Sequence, residues 1–224
     1  MIEGRLRFLV MRTTLSTGTP AVLVVPDNPT RGVVVLPDVG GLRQLYDDMC
    51  EQLAADYGWA VCAPEPFPGH EDTPMENRLA LIPTNDDDRF LADVVAAAEL
   101  VGTERTGVIG FCQGGMWAYK SSTLDVIDRA VAFYGMVRTP WKRDGFGDAI
   151  DSLRRTERKP VLSINGGIDK WTPESDLDDI RALPDVEVVV YPEADHAFVH
   201  APDRPTYRPD DAADAWKRAA AFLA

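Results

Sequence analysis

Val108-Ile109-Gly110-Phe111-Cys112-Gln113-Gly114-Gly115 is the stretch on which the reading of this chain turns. A short apolar run enters a Gly-x-Cys-x-Gly-Gly turn, and Met116 to Ser121 follows as a helix-compatible segment. The apolar, β-branched start predicts a buried strand. Glycines around Cys112 suit a strand-to-helix turn so tight that a Cβ would meet neighbouring backbone. An elbow of this kind strains its central residue and exposes it at the strand end as a nucleophile. A cysteine there predicts thiolate attack and a thioester intermediate. The alternative is a glycine-rich junction around an inert, buried cysteine, and partners elsewhere in the chain decide between the two.

A thiolate nucleophile needs a base, and the base needs an orienting acid. After an elbow these follow in the order acid, then histidine. Only His196 and His200 lie C-terminal to Cys112. His196 occupies Glu193-Ala194-Asp195-His196-Ala197-Phe198, between the apolar run Val186 to Tyr191 and the last helix-compatible segment, where a base is expected. His200 is an alternative beyond the loop turn, so His196 is preferred. Val161-Leu162-Ser163-Ile164-Asn165 reads as a strand, and Gly166-Gly167-Ile168-Asp169 sets Asp169 at its carboxyl end. Parallel sheets collect catalytic groups at that edge. A turn cap before Pro173 is the plainer reading of Asp169, and a cap or solvated charge that of Asp195. The candidate oxyanion donors are the backbone N–H of Gln113, which follows the nucleophile, and that of Val39, in the loop after the strand Val33 to Leu36.

Around these residues strand and helix alternate. Ala21 to Val25, Val33 to Leu36, Trp59 to Ala63, Gly107 to Phe111, Ala130 to Tyr134, Val161 to Asn165 and Val186 to Tyr191 read as strands. Leu42 to Tyr57, Asp87 to Leu100 and Pro209 to Leu223 read as amphipathic helices. Pro64 to Pro83, rich in proline and charge, is the least regular part. The βα alternation predicts an α/β fold, a mostly parallel sheet with helices on both faces. Residues 19–224 form one expected domain. Residues 1–18 are read as an N-terminal extension or a first strand, because Ile2-Glu3-Gly4-Arg5 matches a protease-cleavage sequence used in engineering and Met11 is a second candidate start.

With 224 residues, 45% of them hydrophobic, the chain is long enough for one sizeable core. A formal net charge of −13 argues against nucleic acid and against anionic membrane surfaces, both of which need clustered Lys and Arg. It also means that a substrate carboxylate must be held by a few local arginines. No apolar run approaches a membrane span and no signal peptide is visible. The 3 cysteines have no metal-like spacing and fit a reducing cytoplasm, with Cys50 and Cys62 as small core residues. No resolving cysteine lies near Cys112 for a redox role.

Taken with Leu36-Pro37-Asp38-Val39-Gly40-Gly41 and the ending Tyr207 to Leu223, the elbow, the Gly166 to Asp169 turn and Asp195-His196-Ala197-Phe198 resemble the dienelactone hydrolase family from about Thr19 onward. The resemblance implies an α/β-hydrolase fold with Cys112 as nucleophile, Asp169 as acid and His196 as base, acting on a small ester or lactone. It implies no metal or organic cofactor, and a monomer or homodimer. Asp38 matches a position that is often Glu in members that open dienelactones, where it contacts the resting thiol. His200 stands where those members carry an arginine for the substrate carboxylate. Arg78, Arg204 and Arg208 are the candidate replacements, and Asp38, Arg78, His200 and Arg204 form the expected auxiliary set. Pro64-Glu65-Pro66-Phe67, Trp141 and Trp171 are expected to line an apolar pocket. A thioesterase or general carboxylesterase on the same triad is the alternative, and a non-catalytic binding protein of the same fold is a more distant one.

Overall fold

The computed structural model describes residues 8–141 and 143–224. The cleavage-like Ile2-Glu3-Gly4-Arg5 lies outside them. Among the described residues, eight strands form one sheet: β1 (Phe8–Thr14), β2 (Pro20–Pro26), β3 (Arg31–Leu36), β4 (Trp59–Pro64), β5 (Thr106–Phe111), β6 (Arg129–Phe133), β7 (Val161–Gly166) and β8 (Val186–Tyr191). Their order is β1-β2-β4-β3-β5-β6-β7-β8. β1 and β2 are antiparallel, as are β2 and β4, and all other pairs are parallel. The sheet is thus mostly parallel, as the alternation predicts, with an antiparallel edge from the N-terminal strand.

Helices α1 (Gln44–Tyr57), α2 (Met75–Arg78), α3 (Asp87–Val101), α4 (Gln113–Ser121), α5 (Ala149–Leu153), α6 (Glu174–Arg181) and α7 (Pro209–Leu223) connect the strands. The strands β3, β4, β5 and β7 are buried along their whole length because both sheet faces are covered. Val34 and Leu36 pack with Phe90, Trp117, Ile150 and Leu177 of α3, α4, α5 and α6. Val33 and Val35, on the opposite face, pack with Tyr46, Leu53, Ala215 and Leu223 of α1 and α7. Period-two alternation therefore feeds two separate apolar layers.

The chain runs from β3 to β4 on one side and then crosses to β5 on the other. The crevice outside the carboxyl ends of β3 and β5 is therefore a topological switch point, where open α/β sheets bind ligands. Four segments differ from the expectation drawn from sequence. Pro64 to Pro83 contains α2 and a 3-10 turn, Leu79–Thr84, which tolerates Pro83 because its bonds are short-range. α4 starts at Gln113, directly after the elbow. α5 and α6 have no expected counterpart. Among the described residues no helix is long and apolar enough to cross a membrane.

Candidate active site

Cys112 joins β5 to α4 with φ 57° and ψ −118°, a conformation strained for a residue with a Cβ. The flanking glycines make the turn possible. A Cβ on Gly110 would lie 2.0 Å from the Gly114 carbonyl oxygen, and one on Gly114 would lie 2.1 Å from that of Leu36. Close approach of helix, elbow and β3 therefore excludes every side chain at these two positions. The same approach brings the loop after β3, with Val39, beside the start of α4. No described acceptor takes up the backbone N–H of Val39 or of Gln113.

Asp169 follows β7 and His196 follows β8, so two neighbouring strand ends deliver them to the same edge. His196 Nδ1 lies 2.7 Å from Asp169 Oδ2, and the carboxylate's other oxygen accepts the Trp171 N–H at 2.8 Å. The His196 backbone N–H is held by Asp195 Oδ1 at 2.7 Å, and Ala197 turns the loop with φ 64°. Burial disfavours charge on His196, but hydrogen bonds with Asp169 and with Cys112 outweigh it and raise its pKa to about 10. The arrangement favours an imidazolium next to the sulfur.

Cys112 and His196 open into a cavity of about 250 Å³ lined mainly by Val39, Met75, Leu79, Met136, Trp141 and Trp171. The two indoles lie 6.1 Å apart, centroid to centroid. Among the described residues, Asp38 and Arg204 are the charged groups on its wall besides the histidine.

The auxiliary residues expected from sequence separate into two sets. Asp38 and Arg204 reach the cavity, their charges 3.7 Å apart. Arg78 does not line it, and it is not solvated either: it is buried, donating to the carbonyls of Thr73 and Glu71 with Glu65 3.7 Å away. It ties the irregular segment together. Glu65 accepts the N–H groups of Leu42 and Phe67, and Phe67 lies in the core, so that part of the expected pocket lining is structural. Arg208 pairs with Asp211 and Glu193 at the surface.

His200 is fully buried behind Asp38 and does not line the cavity. Its Nε2 lies 2.8 Å from Asp38 Oδ2, and its Nδ1 meets the Tyr134 hydroxyl. Arg43 completes the cluster, with Nη1 at 2.6 Å from Asp38 Oδ1 and Nη2 at 2.9 Å from Oδ2. Burial would raise the Asp38 pKa, but the His200 and Arg43 hydrogen bonds hold it well below the usual carboxylate range. Sequence reading missed Arg43, Tyr46 and Tyr134. Arg43 is five residues from Asp38 and carries a local signal, whereas Tyr134 is brought in only by the tertiary fold.

The sequence model described as the dienelactone hydrolase family matches residues 19–224. A protein of Yersinia pestis provisionally named a carboxymethylenebutenolidase is 30% identical, the match covering 89% of this chain and 80% of the relative. One of Methylorubrum extorquens, with the same provisional name, is 29% identical over 89% of this chain and 74% of its own. The crystal structure of a provisionally named dienelactone hydrolase from Klebsiella pneumoniae superposes with a TM-score of 0.86 at 26% identity, covering 97% of this chain and 98% of that one.

Proposed function

Because the chain belongs to the dienelactone hydrolase family and is a hydrolase of that type on the α/β-hydrolase fold, we propose that it cleaves a small, neutral ester or lactone by acyl transfer to Cys112. The observation that carries this reading is the Asp169–His196 hydrogen bond beside Cys112 at the wall of an apolar cavity, with the sulfur on a strained elbow.

Asp169 takes the Nδ1 proton side of His196, so the remaining ring nitrogen serves the sulfur. In this reading the sulfur's proton rests on His196 and the sulfur reacts as a thiolate. The thiolate attacks the carbonyl carbon, and the oxyanion accepts from the N–H groups of Val39 and Gln113; one such donor is worth about 10²–10³ in rate. The tetrahedral adduct collapses as His196 gives its proton to the leaving alkoxide. Neutral His196 then takes a proton from water, whose oxygen attacks the thioester. Collapse releases the acid and returns the proton to the His196–Cys112 pair.

The cavity wall favours an uncharged acyl group. A carboxylate would lose hydration on entering it and would find in Arg204 a cation already facing Asp38. The test of the reaction is turnover of a p-nitrophenyl ester by Cys112→Ala. Loss of nearly all activity with an unchanged melting temperature is expected. Wild-type turnover in that variant would reject the nucleophile.

A further inference from the structure

Behind the cavity, buried Tyr134, His200 and Asp38 form a series, closed by the half-buried Arg43, that the acyl-transfer steps do not use. Its bonds converge on the peptide before Val39. Asp38 Oδ1 accepts the Gly40 N–H at 2.8 Å, and the Asp38 carbonyl accepts the Gly41 N–H at 3.0 Å and Gln113 Nε2 at 3.3 Å. The Asp38 N–H donates to the Tyr46 hydroxyl at 2.7 Å. His200 reaches this turn from the other end of the fold at hydrogen-bond distance, from the segment after β8 that also carries His196 and the more distant Arg204.

We propose that His200 is a positioning residue which, braced by Tyr134, fixes the Asp38 turn so that the Val39 N–H stays aimed at the developing oxyanion. The proposal rests on the acyl-transfer reading above.

A neutral imidazole has one N–H and one lone pair, so its partners select the tautomer. Burial keeps His200 neutral, pushing its pKa down. Burial likewise keeps the Tyr134 hydroxyl protonated, as a donor. The hydroxyl donates to Nδ1, which leaves the proton on Nε2 to donate to Asp38 Oδ2. Tyr134 is itself held: its φ is 42°, its N–H donates to the Ile164 carbonyl at 2.7 Å, and its ring meets the His196 ring edge-on at 5.0 Å. The His200 ring is stacked on Phe111, the residue before the nucleophile, at 4.8 Å. The series therefore links base, elbow and oxyanion turn. Without the Nε2 donor, Asp38 Oδ2 retains only arginines whose side chains are partly exposed, Arg43 and Arg204. The carboxylate can then rotate toward Arg204 and carry Val39 with it.

Two reactions of the same sulfur separate positioning from general structural support. Acylation by p-nitrophenyl acetate needs the oxyanion donors, whereas alkylation by iodoacetamide needs only the thiolate. In His200→Phe and in Tyr134→Phe, we expect the acylation rate to fall about 10- to 100-fold with KM little changed, since a small misplacement of a catalytic group has effects of this size. Alkylation should stay within about twofold of wild type, because it follows the thiolate fraction. His200→Gln, which retains a donor, should recover most of the acylation rate. Equal losses in both reactions would overturn the proposal, as would no loss in either. Tyr134→Phe, which removes one oxygen atom, decides the matter if His200→Phe does not fold. Failure of the underlying reading looks different: alkylated wild-type protein would still hydrolyse the ester.

Discussion

At the residue scale the Cys112–His196 pair fixes the pH dependence, which belongs to the pair rather than to either group. Burial opposes a charged His196, yet its bonds to Asp169 and Cys112 lift the imidazole from 6.5 to about 10. A raised pKa gives the folded state a contribution that is complete below 6.5 and lost as pH rises through about 10. kcat/KM for a neutral ester should accordingly hold through mildly alkaline pH and fall near 10, as the proton for the leaving group is lost. A fall centred near 6.5 would mean that His196 is not coupled to the sulfur. Asp38 has the opposite sign. Its lowered pKa stabilises the fold above the ordinary value of 3.8, and that contribution disappears as pH drops below it. Asp38→Asn should cost on the order of 3 kcal/mol at neutral pH, the scale of a broken buried ion pair. Melting curves of variant and wild type should converge in acid, and a gap independent of pH would contradict the assignment. Asp169→Asn should lower kcat by roughly 10³–10⁴-fold through the wrong histidine tautomer. The meeting of positions 112, 169 and 196 was legible from motif and chain order. The Tyr134–His200–Asp38 contact was not, because no local pattern records a contact between residues 38 and 200.

At the scale of elements, the elbow works because strand, turn and helix approach within backbone contact. Gly114→Ala puts a methyl group 2.1 Å from the Leu36 carbonyl oxygen, so β3 or α4 must move. We expect a loss of about 3 kcal/mol, at the upper end for an overpacked core, and a matching loss of activity. Gly69→Ala has nothing within 4 Å and bears only the strain of its φ of 84°, about 1 kcal/mol. Denaturant unfolding of the two variants compares crowding with backbone strain directly, and equal losses would contradict the close-approach account. The buried strands were readable because burial on both faces leaves uninterrupted apolar runs, as in β3 and β5. α6, Glu-Ser-Asp-Leu-Asp-Asp-Ile-Arg, was not, since Leu177 and Ile180 are its two apolar residues and its acidic residues, buried Asp176 included, read as loop. α5 is too short to show a period. Strand order is absent from local sequence altogether, and with it the fact that the elbow lies at the switch point.

Over the whole molecule, a net charge of −13 and an apolar cavity act in the same direction. The field repels anions, and Arg204, the arginine among the described wall residues, already faces Asp38. We expect kcat/KM for a neutral ester to exceed that for an anionic dienelactone of similar size by at least about tenfold, or roughly 1.4 kcal/mol. Added salt should narrow the difference by screening the long-range part. A preference for the dienelactone would show that Arg204 binds the carboxylate in spite of its neighbour. The family and the broad hydrolytic class were legible in the sequence because motifs in a fixed order carry them. The preferred acyl group was not, because it depends on which side chains of distant loops meet in one cavity. Acyl transfer to Cys112 requires a covalent adduct on its sulfur. Quenching the protein in acid during turnover of a slowly hydrolysed p-nitrophenyl ester, followed by intact-mass and peptide mass spectrometry, reads it directly. One acyl group on the peptide carrying Cys112, absent in Cys112→Ala and accumulating in His196→Ala supplied with a more reactive ester, is the predicted result. An acyl group on another residue, or steady turnover by Cys112→Ala with no adduct on wild type, would contradict it.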